Sequence, residues 1–494
     1  MPDRLPDGGN RPTTGPTPGR GEAANRRSGR PGSPGRSGRP GRRWRVPMWR
    51  RGADRFQHPA QVIAGAFAVA VLTGTALLML PVASRDGQSA SLVDAMFTAT
   101  SAVCVTGLVV VDTAGYWSVF GQLVILALIQ VGGLGIMTLA TLLTVLLSRR
   151  LGLRARFLAQ AETKSLSMRD VRRVVRNIVL FSLASEFVVA VVLTVRFALR
   201  YDYPLAQAAY HGLFHAISAF NNAGFALYTD SLVRFVADPW IMISVSVAVI
   251  VGGLGFPVVF ELLRSWRRPR TWSVLTRITV VLTVSLLILG TVLFTIVEFR
   301  NPGTFGELAA PEKLLAGFFA SVMTRTAGFN SVDIGAMRPE SLLLSDILMF
   351  IGGGSAGTAG GVKVTTVGLL AFVLWAEMRG ETQVNIGARR VPESNQRQAL
   401  AVVLLALGAV AVATFALLAM TRYSLDQVLF EVISAFATVG LSTGITAGLP
   451  PAADVLLILL MFMGRIGPLT VASALALRER GRRYELPEER TIVG

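Results

Sequence analysis

A single cysteine in 494 residues, Cys104, excludes a disulfide within the chain and any metal site built on several thiolates. Histidine is nearly as scarce, with three copies. His211 and His215 stand four apart on one helical face, but the acid of an H-E-x-x-H pair and a third ligand are missing. They therefore read as support for a neighbouring turn rather than as a zinc site. Charge is sparse as well: 16% charged residues against 52% hydrophobic, with mean hydropathy +0.54, is too apolar for a soluble protein of this length and points to an integral membrane protein. No G-x-x-x-x-G-K-[ST] motif is present, so any nucleotide control must come from another chain. An intramembrane enzyme would need acids, bases or metal ligands converging at one depth, and no such set is found.

The formal charge of +18 resembles that of a nucleic-acid binder, but its distribution does not. Residues 1–58 hold fourteen arginines against four acids, among many prolines and glycines, and so carry +10 of it. Such a stretch buries nothing, which predicts a disordered basic tail over 1–57. It lacks the continuous apolar core of a signal peptide. The tail reads either as inert or as a contact for anionic lipid headgroups, and nucleic acid is not expected as a partner.

What the chain has in abundance is apolar length. Runs near the ~20 residues needed to cross a bilayer occur at about 60–82, 119–147, 174–199, 239–263, 274–297, 342–376, 399–420 and 452–477. Between them one pattern recurs four times: FTATSAVCVTGL (97–108), FHAISAFNNAGF (214–225), FFASVMTRTAGF (318–329) and FEVISAFATVGL (430–441). In each, a Phe stands ten residues before a Gly that is followed by Leu or Phe, and the glycines are 117, 104 and 112 residues apart. Eight runs and four such segments predict four repeats of helix, half-helix, turn and helix. Non-helical backbone is tolerable at membrane depth only where protein or a water-filled path encloses it, so the four turns must share one central axis.

A glycine in such a turn permits φ > 0 and lets successive carbonyls face one way. Four turns would then present backbone oxygens able to replace a cation's water shell. The expected coordinating positions are Val105, Thr106 and Gly107; Asn222, Ala223 and Gly224; Thr326, Ala327 and Gly328; and Thr438, Val439 and Gly440. Side chains there differ between turns while the glycine does not, as main-chain coordination requires. The half-helix before each turn adds the partial negative charge of its C-terminal end.

The turns VTGL, NNAGF, RTAGF and TVGLSTG resemble those of the Trk/Ktr/HKT superfamily of cation transporters, nearest to its KtrB-type potassium-translocating subunits, and the likeness spans about residues 58–480. It implies an all-α membrane protein with a pseudo-four-fold pore and potassium as the transported ion. It also implies a homodimer resting on a cytosolic, nucleotide-binding regulatory ring, with no cofactor in this chain. Sodium dependence stays open, as does a sodium or mixed monovalent-cation relative of the same fold. The repeats are expected at 58–150, 151–266, 267–380 and 381–478, with a C-terminal tail at 479–494. The connections between repeats are rich in arginine, which places them and both termini on the cytoplasmic side of the cell membrane.

Two features of the inner runs go beyond packing. Residues 352–361, GGGSAGTAGG, put Gly352, Gly353, Gly354, Ser355, Gly357, Thr358, Gly360 and Gly361 into the middle of an apolar run, where no helix is expected to continue. A flexible break below the turns is a natural gate, and the resemblance implies an intramembrane loop there. Arg465 lies inside the last run, where a cation is costly unless it meets water or a partner. It is expected to bond the carbonyls or hydroxyls of the break, including Ser355 and Thr358. Lys363, just past the break, reads either as a charge opposing cations or as an ordinary helix-starting lysine, and Arg325 as a brace for the third turn.

Overall fold

The structure is a computed structural model that describes residues 59–135, 138, 168–381, 383–386 and 389–467. The expected tails at 1–57 and 479–494 lie outside the described residues, as does most of the connection between the first two repeats. The described part is almost wholly helical: α1 (Pro59–Leu78), α2 (Leu92–Val103), α3 (Val119–Gly135), α4 (Met168–Arg200), α5 (Leu205–Phe220), α6 (Pro239–Leu254), α7 (Phe256–Ser265), α8 (Val274–Glu298), α9 (Ala310–Met323), α10 (Pro339–Phe350), α11 (Val364–Met378), α12 (Glu393–Met420), α13 (Leu425–Ala437) and α14 (Pro451–Ile466). The β-strands among the described residues are a two-residue pairing of Asn385–Ile386 with Arg389–Arg390, and isolated bridges join Ser84 to Trp117 and Ile351 to Val362.

Length and composition divide these helices. Three, over Arg172–Arg200, Val274–Glu298 and Glu393–Met420, are continuous, apolar and long enough to span a bilayer by themselves. Each precedes a half-helix of 13 to 16 residues: α5, α9 and α13. Their sequences explain the starts. Ser91 caps α2 by accepting from the Asp94 N–H, Ser424 opens a capping box on α13, and Pro311 lies in the first turn of α9. The run at 239–263 is not one helix. It bends by 103° at Gly255, whose φ of 90° is open to glycine and strained for other residues.

The half-helices pack in a cycle. Helix α9 lies on α6, α13 on α10, and α2 on α14, which joins the two ends of the described chain; α5 meets α3 through a hydrogen bond from Asn221 Nδ2 to Gln130 Oε1 (2.8 Å). Glycine makes the close approach feasible. A β-carbon on Gly132, Gly252 or Gly464 would strike the carbonyl oxygen of Val103, Phe220 or Phe436, each four residues before a repeat glycine. The spacing thus seats the inner helices α3, α6 and α14 on the last turns of their own half-helices.

This packing makes a prediction. Gly464→Val would drive a side chain into the Phe436 backbone, which cannot give way, and the variant should lose the monodisperse peak in detergent size-exclusion chromatography. Gly408→Ala on α12, where nothing lies within 4 Å, should keep it. Equal behaviour of the two variants would contradict the packing role.

Candidate functional site

Each half-helix runs into its turn with the same local geometry. Backbone φ is positive two residues before the repeat glycine and again at it: Val105 (55°) and Gly107 (92°), Asn222 (59°) and Gly224 (72°), Thr326 (73°) and Gly328 (75°), Thr438 (51°) and Gly440 (95°). Four non-glycine residues held in a left-handed conformation at equivalent positions are a strained set that the surroundings must enforce. Hydrogen bonds supply part of that force. Thr106, Ala223 and Val439 donate their N–H to the carbonyls of Ser101, Ser218 and Ser434 at 2.7–2.8 Å. The same serines act through their hydroxyls: Ser101 and Ser434 accept the N–H of Gly107 and Gly440 at 3.1 Å, while Ser101 and Ser218 donate to the carbonyls of Leu108 and Phe225 at 2.7–2.8 Å.

The four turns meet. A β-carbon built on Gly107 would lie 3.0 Å from the α-carbon of Gly224; on Gly224, 3.0 Å from that of Gly328; on Gly328, 3.1 Å from that of Gly440; and on Gly440, 3.0 Å from that of Gly107. In the same sense round the cycle, these positions face the carbonyl oxygens of Ala223, Ala327, Val439 and Thr106. All twelve predicted positions are therefore brought to one place. Thr106 Oγ1, Asn222 Nδ2, Thr326 Oγ1 and Thr438 Oγ1, one polar atom from each turn, are buried there with no protein partner.

The third turn departs from the others. Six residues before its glycine stands Val322 rather than serine, and Ser321 instead bonds the Leu287 carbonyl of α8 (3.0 Å). Arg325 compensates. It is buried and donates to the carbonyls of Gly352 (3.1 Å) and Thr283 (3.4 Å), so it braces through carbonyls but ties the turn to the glycine-rich segment rather than to another turn.

That segment, 351–363, folds back on itself and docks on the α6–α7 corner. Gly352 N–H meets Val362 O at 2.9 Å, Gly354 N–H meets Gly253 O at 2.8 Å and Thr358 N–H meets Gly252 O at 3.1 Å. Thr358 Oγ1 donates to Asn222 Oδ1 in the second turn (2.9 Å), and Gly360 abuts the Thr438 hydroxyl of the fourth. Arg465 Nη1 donates to the Thr358 carbonyl, one of the carbonyls and hydroxyls of the break expected to meet it; the hydroxyl of Ser355 pairs with that of Thr365 (2.8 Å). Arg465 is buried, with Nε and Nη2 lacking a protein partner. Lys363 stands at the N-cap position of α11, as a helix-starting lysine does, and its Nζ donates to the Ala359 carbonyl.

The histidines serve a turn. His215 Nδ1 faces the His211 carbonyl (2.7 Å) and Nε2 accepts the Leu227 N–H (3.3 Å), which fixes a neutral tautomer and holds the chain leaving the second turn. Among the described residues no group of three His, Cys, Asp or Glu side chains is placed to hold a metal. Cys104 is buried at the end of α2.

The sequence reading did not single out Glu186. This acid on α4 is 2% exposed and accepts from Gln130 Nε2 (3.0 and 3.2 Å) and from Asn221 Nδ2 (3.2 Å), the residue that ends α5. The signal was available: one acid amid the apolar run 174–199, where ionisable residues are rare and face the protein interior.

The geometry defines a multi-pass helical membrane protein whose half-helices converge on a ring of turns. A sequence profile described as TrkH, cation transport protein, matches residues 44–482. The Ktr system potassium uptake protein B of Bacillus subtilis is 40% identical over 437 residues, covering 88% of this chain and 97% of the relative. Its namesake in Vibrio alginolyticus is 39% identical over 450 residues (91% and 98%), and the potassium/sodium uptake protein NtpJ of Enterococcus hirae is 36% identical over 442 (88% and 97%). The crystal structure of the potassium transporter TrkH from Vibrio parahaemolyticus shares the fold, with a TM-score of 0.68 at 17% identity over 85% of this chain and 86% of that one. The chain belongs to the TrkH family of cation transport proteins, which are membrane transporters and not enzymes.

Glu186→Ala would take from the Gln130 amide the acceptor it uses and from Asn221 one of its three, a loss of about 1 kcal/mol or more, and let the second turn relax. Monovalent-cation uptake competed with a second cation should then show a selectivity shift of roughly fivefold, which Glu186→Gln reverses in large part. Unchanged competition in a folded Glu186→Ala variant would make this a packing residue only.

Proposed function

We propose that this chain is the potassium-translocating subunit of a uptake system in the cytoplasmic membrane, a pore whose selectivity filter is the ring of four turns. The observation that carries this reading is the cyclic seating of each repeat glycine against the carbonyl of the next turn. Such a ring supplies what a dehydrating cation requires: oxygens fixed by the backbone, in a site enclosed by protein. The half-helix ends direct partial negative charge toward it. The names of the relatives at 36–40% identity, all of them potassium uptake proteins, support the choice of ion. One glycine per turn makes a short filter, and the Enterococcus relative named for both ions makes sodium the natural competitor.

In this reading segment 351–363 is the gate. It lies against the second and fourth turns and is held by Arg465, which sets a positive charge beneath the filter. Closure then opposes a cation both by blocking the path and by repulsion. Eight spans, both termini in the cytoplasm, a homodimer with one pore per chain and a cytosolic nucleotide-binding ring acting on the gate complete the proposal. The arginines of the connections, such as Arg264, Arg267 and Arg268, support that orientation.

The filter is tested by Gly107→Ser in proteoliposomes. A side chain there would collide with the Ala223 carbonyl, so preference for potassium over sodium should fall by about tenfold, or about 1.4 kcal/mol. Retained preference in a well-folded variant would remove these glycines from the filter.

The gate is tested separately. Arg465→Ala should raise potassium flux through the purified chain without a regulatory partner, while leaving ion preference as it was. If the folded variant conducts no faster than the parent, segment 351–363 is a structural kink.

A further inference from the structure

The 103° bend at Gly255 sends α7 off nearly at right angles to α6. One face of α7 is buried through Phe256, Val258 and Val259, and Phe256 and Phe260 each lie 5.9 Å between ring centroids from Phe181 on α4. Toward the C-terminal end of α7 the packing ends, and Leu263 and Trp266 are about two-thirds exposed. Arg264, Arg267, Arg268 and Arg270 are exposed beside them. The one acid of this stretch, Glu261, is already occupied: it accepts the Ser273 N–H and hydroxyl at 2.6 Å and the Thr276 hydroxyl at 2.5 Å, fastening the start of α8. Among the described residues none of the four arginines has a carboxylate within salt-bridge distance. Glu261, Arg264, Ser265, Arg267, Arg268 and Thr271 line an open cleft of about 650 Å³. Next to it, Trp272 Nε1 donates to the Ser265 carbonyl (3.1 Å).

We propose that this corner is a binding site for the headgroup of an anionic phospholipid. A helix turned across a span, with Leu and Trp outward and guanidinium groups beside them, matches the boundary between acyl chains and phosphates. Because α7 follows α6 after Gly255 alone and packs Phe256 and Phe260 on Phe181 of the spanning helix α4, it stays beside the apolar spans, which favours a lipid over a soluble protein as occupant. The Arg267 guanidinium packs on the Trp266 ring at 4.9 Å, so the apolar anchor and a phosphate-binding cation form one unit. The site also reaches the pore. Phe256 N–H donates to the Ala356 carbonyl (3.3 Å) and Gly255 abuts the Ser355 carbonyl, so a lipid that fixes α7 bears on segment 351–363. This last step rests on the gate reading, while lipid binding itself does not.

The test reconstitutes the full chain and its Trp266→Phe variant in phosphatidylcholine vesicles carrying acyl-brominated phosphatidylglycerol or acyl-brominated phosphatidylcholine at equal mole fraction. The difference between the two proteins isolates the quenching of Trp266. Brominated phosphatidylglycerol should quench it more strongly, with a local preference of roughly fivefold per arginine engaged, and an Arg264→Gln, Arg267→Gln, Arg268→Gln triple variant should abolish the difference. Equal quenching by the two lipids in the parent, or a preference that survives the triple change, would overturn the site. Loss of the preference on adding soluble glycerol phosphate or inorganic phosphate would reassign it to free anions. In a second arm, potassium flux should change at least about twofold with phosphatidylglycerol content in the parent and not in the triple variant. Lipid-independent flux with the quenching preference intact would overturn the coupling to the gate and leave the lipid site standing.

Discussion

Backbone that is not helical cannot face lipid, because its N–H and C=O groups would go unpaired at a cost of several kcal/mol each. This chain places four such turns within its interior and resolves the problem by leaning each one on the next. Gly107, Gly224, Gly328 and Gly440 each present their missing side chain to the neighbouring turn. Much else follows from that contact. The half-helices must arrive at one depth, so their inner helices need glycine where they cross them, at Gly132, Gly252 and Gly464. The last repeat must return to the first, which it does through α14 on α2. The left-handed residues before each glycine are strained alone; backbone bonds from the preceding half-helix hold the turns, joined by serine hydroxyls in the first, second and fourth.

The cycle is not symmetric, and its departures fall in the third repeat. Where three half-helices use a serine six residues before the glycine, this one has Val322 and relies on Arg325. Where α3, α6 and α14 stay helical across their glycine contacts at Gly132, Gly252 and Gly464, α10 ends at Phe350 and the chain resumes as a helix at Val364. The two departures touch each other through the Arg325–Gly352 bond, and Arg465 from the fourth repeat holds the same segment. An arginine buried in a membrane protein costs about 2.5–3.5 kcal/mol by insertion scales, and Arg465 meets a single carbonyl with two of its nitrogens unpaired. The proposed gate is located there because buried arginines of two repeats, Arg325 and Arg465, both bond this segment.

Much of this architecture was legible in the sequence, because glycine spacing records backbone geometry directly. The four Phe-to-Gly intervals located the turns, and the six glycines of 352–361 located the interruption. Side-chain partnerships were less legible. Arg465 was read as bonding carbonyls or hydroxyls, and of these it takes the Thr358 carbonyl. The run 239–263 passed for one helix, since hydropathy is blind to a positive φ at Gly255. Glu186 was overlooked because its partners, Gln130 and Asn221, lie 56 and 35 residues away, a pairing that only the tertiary fold creates.

The central claim is that cations pass through the ring of four turns. Crystals of the chain grown in rubidium, with diffraction collected at the rubidium absorption edge, test it directly. The account predicts anomalous density enclosed by the carbonyls of Thr106, Ala223, Ala327 and Val439, displaced when sodium replaces rubidium. Ordered rubidium elsewhere in the membrane-embedded part, with none at the ring, would contradict it.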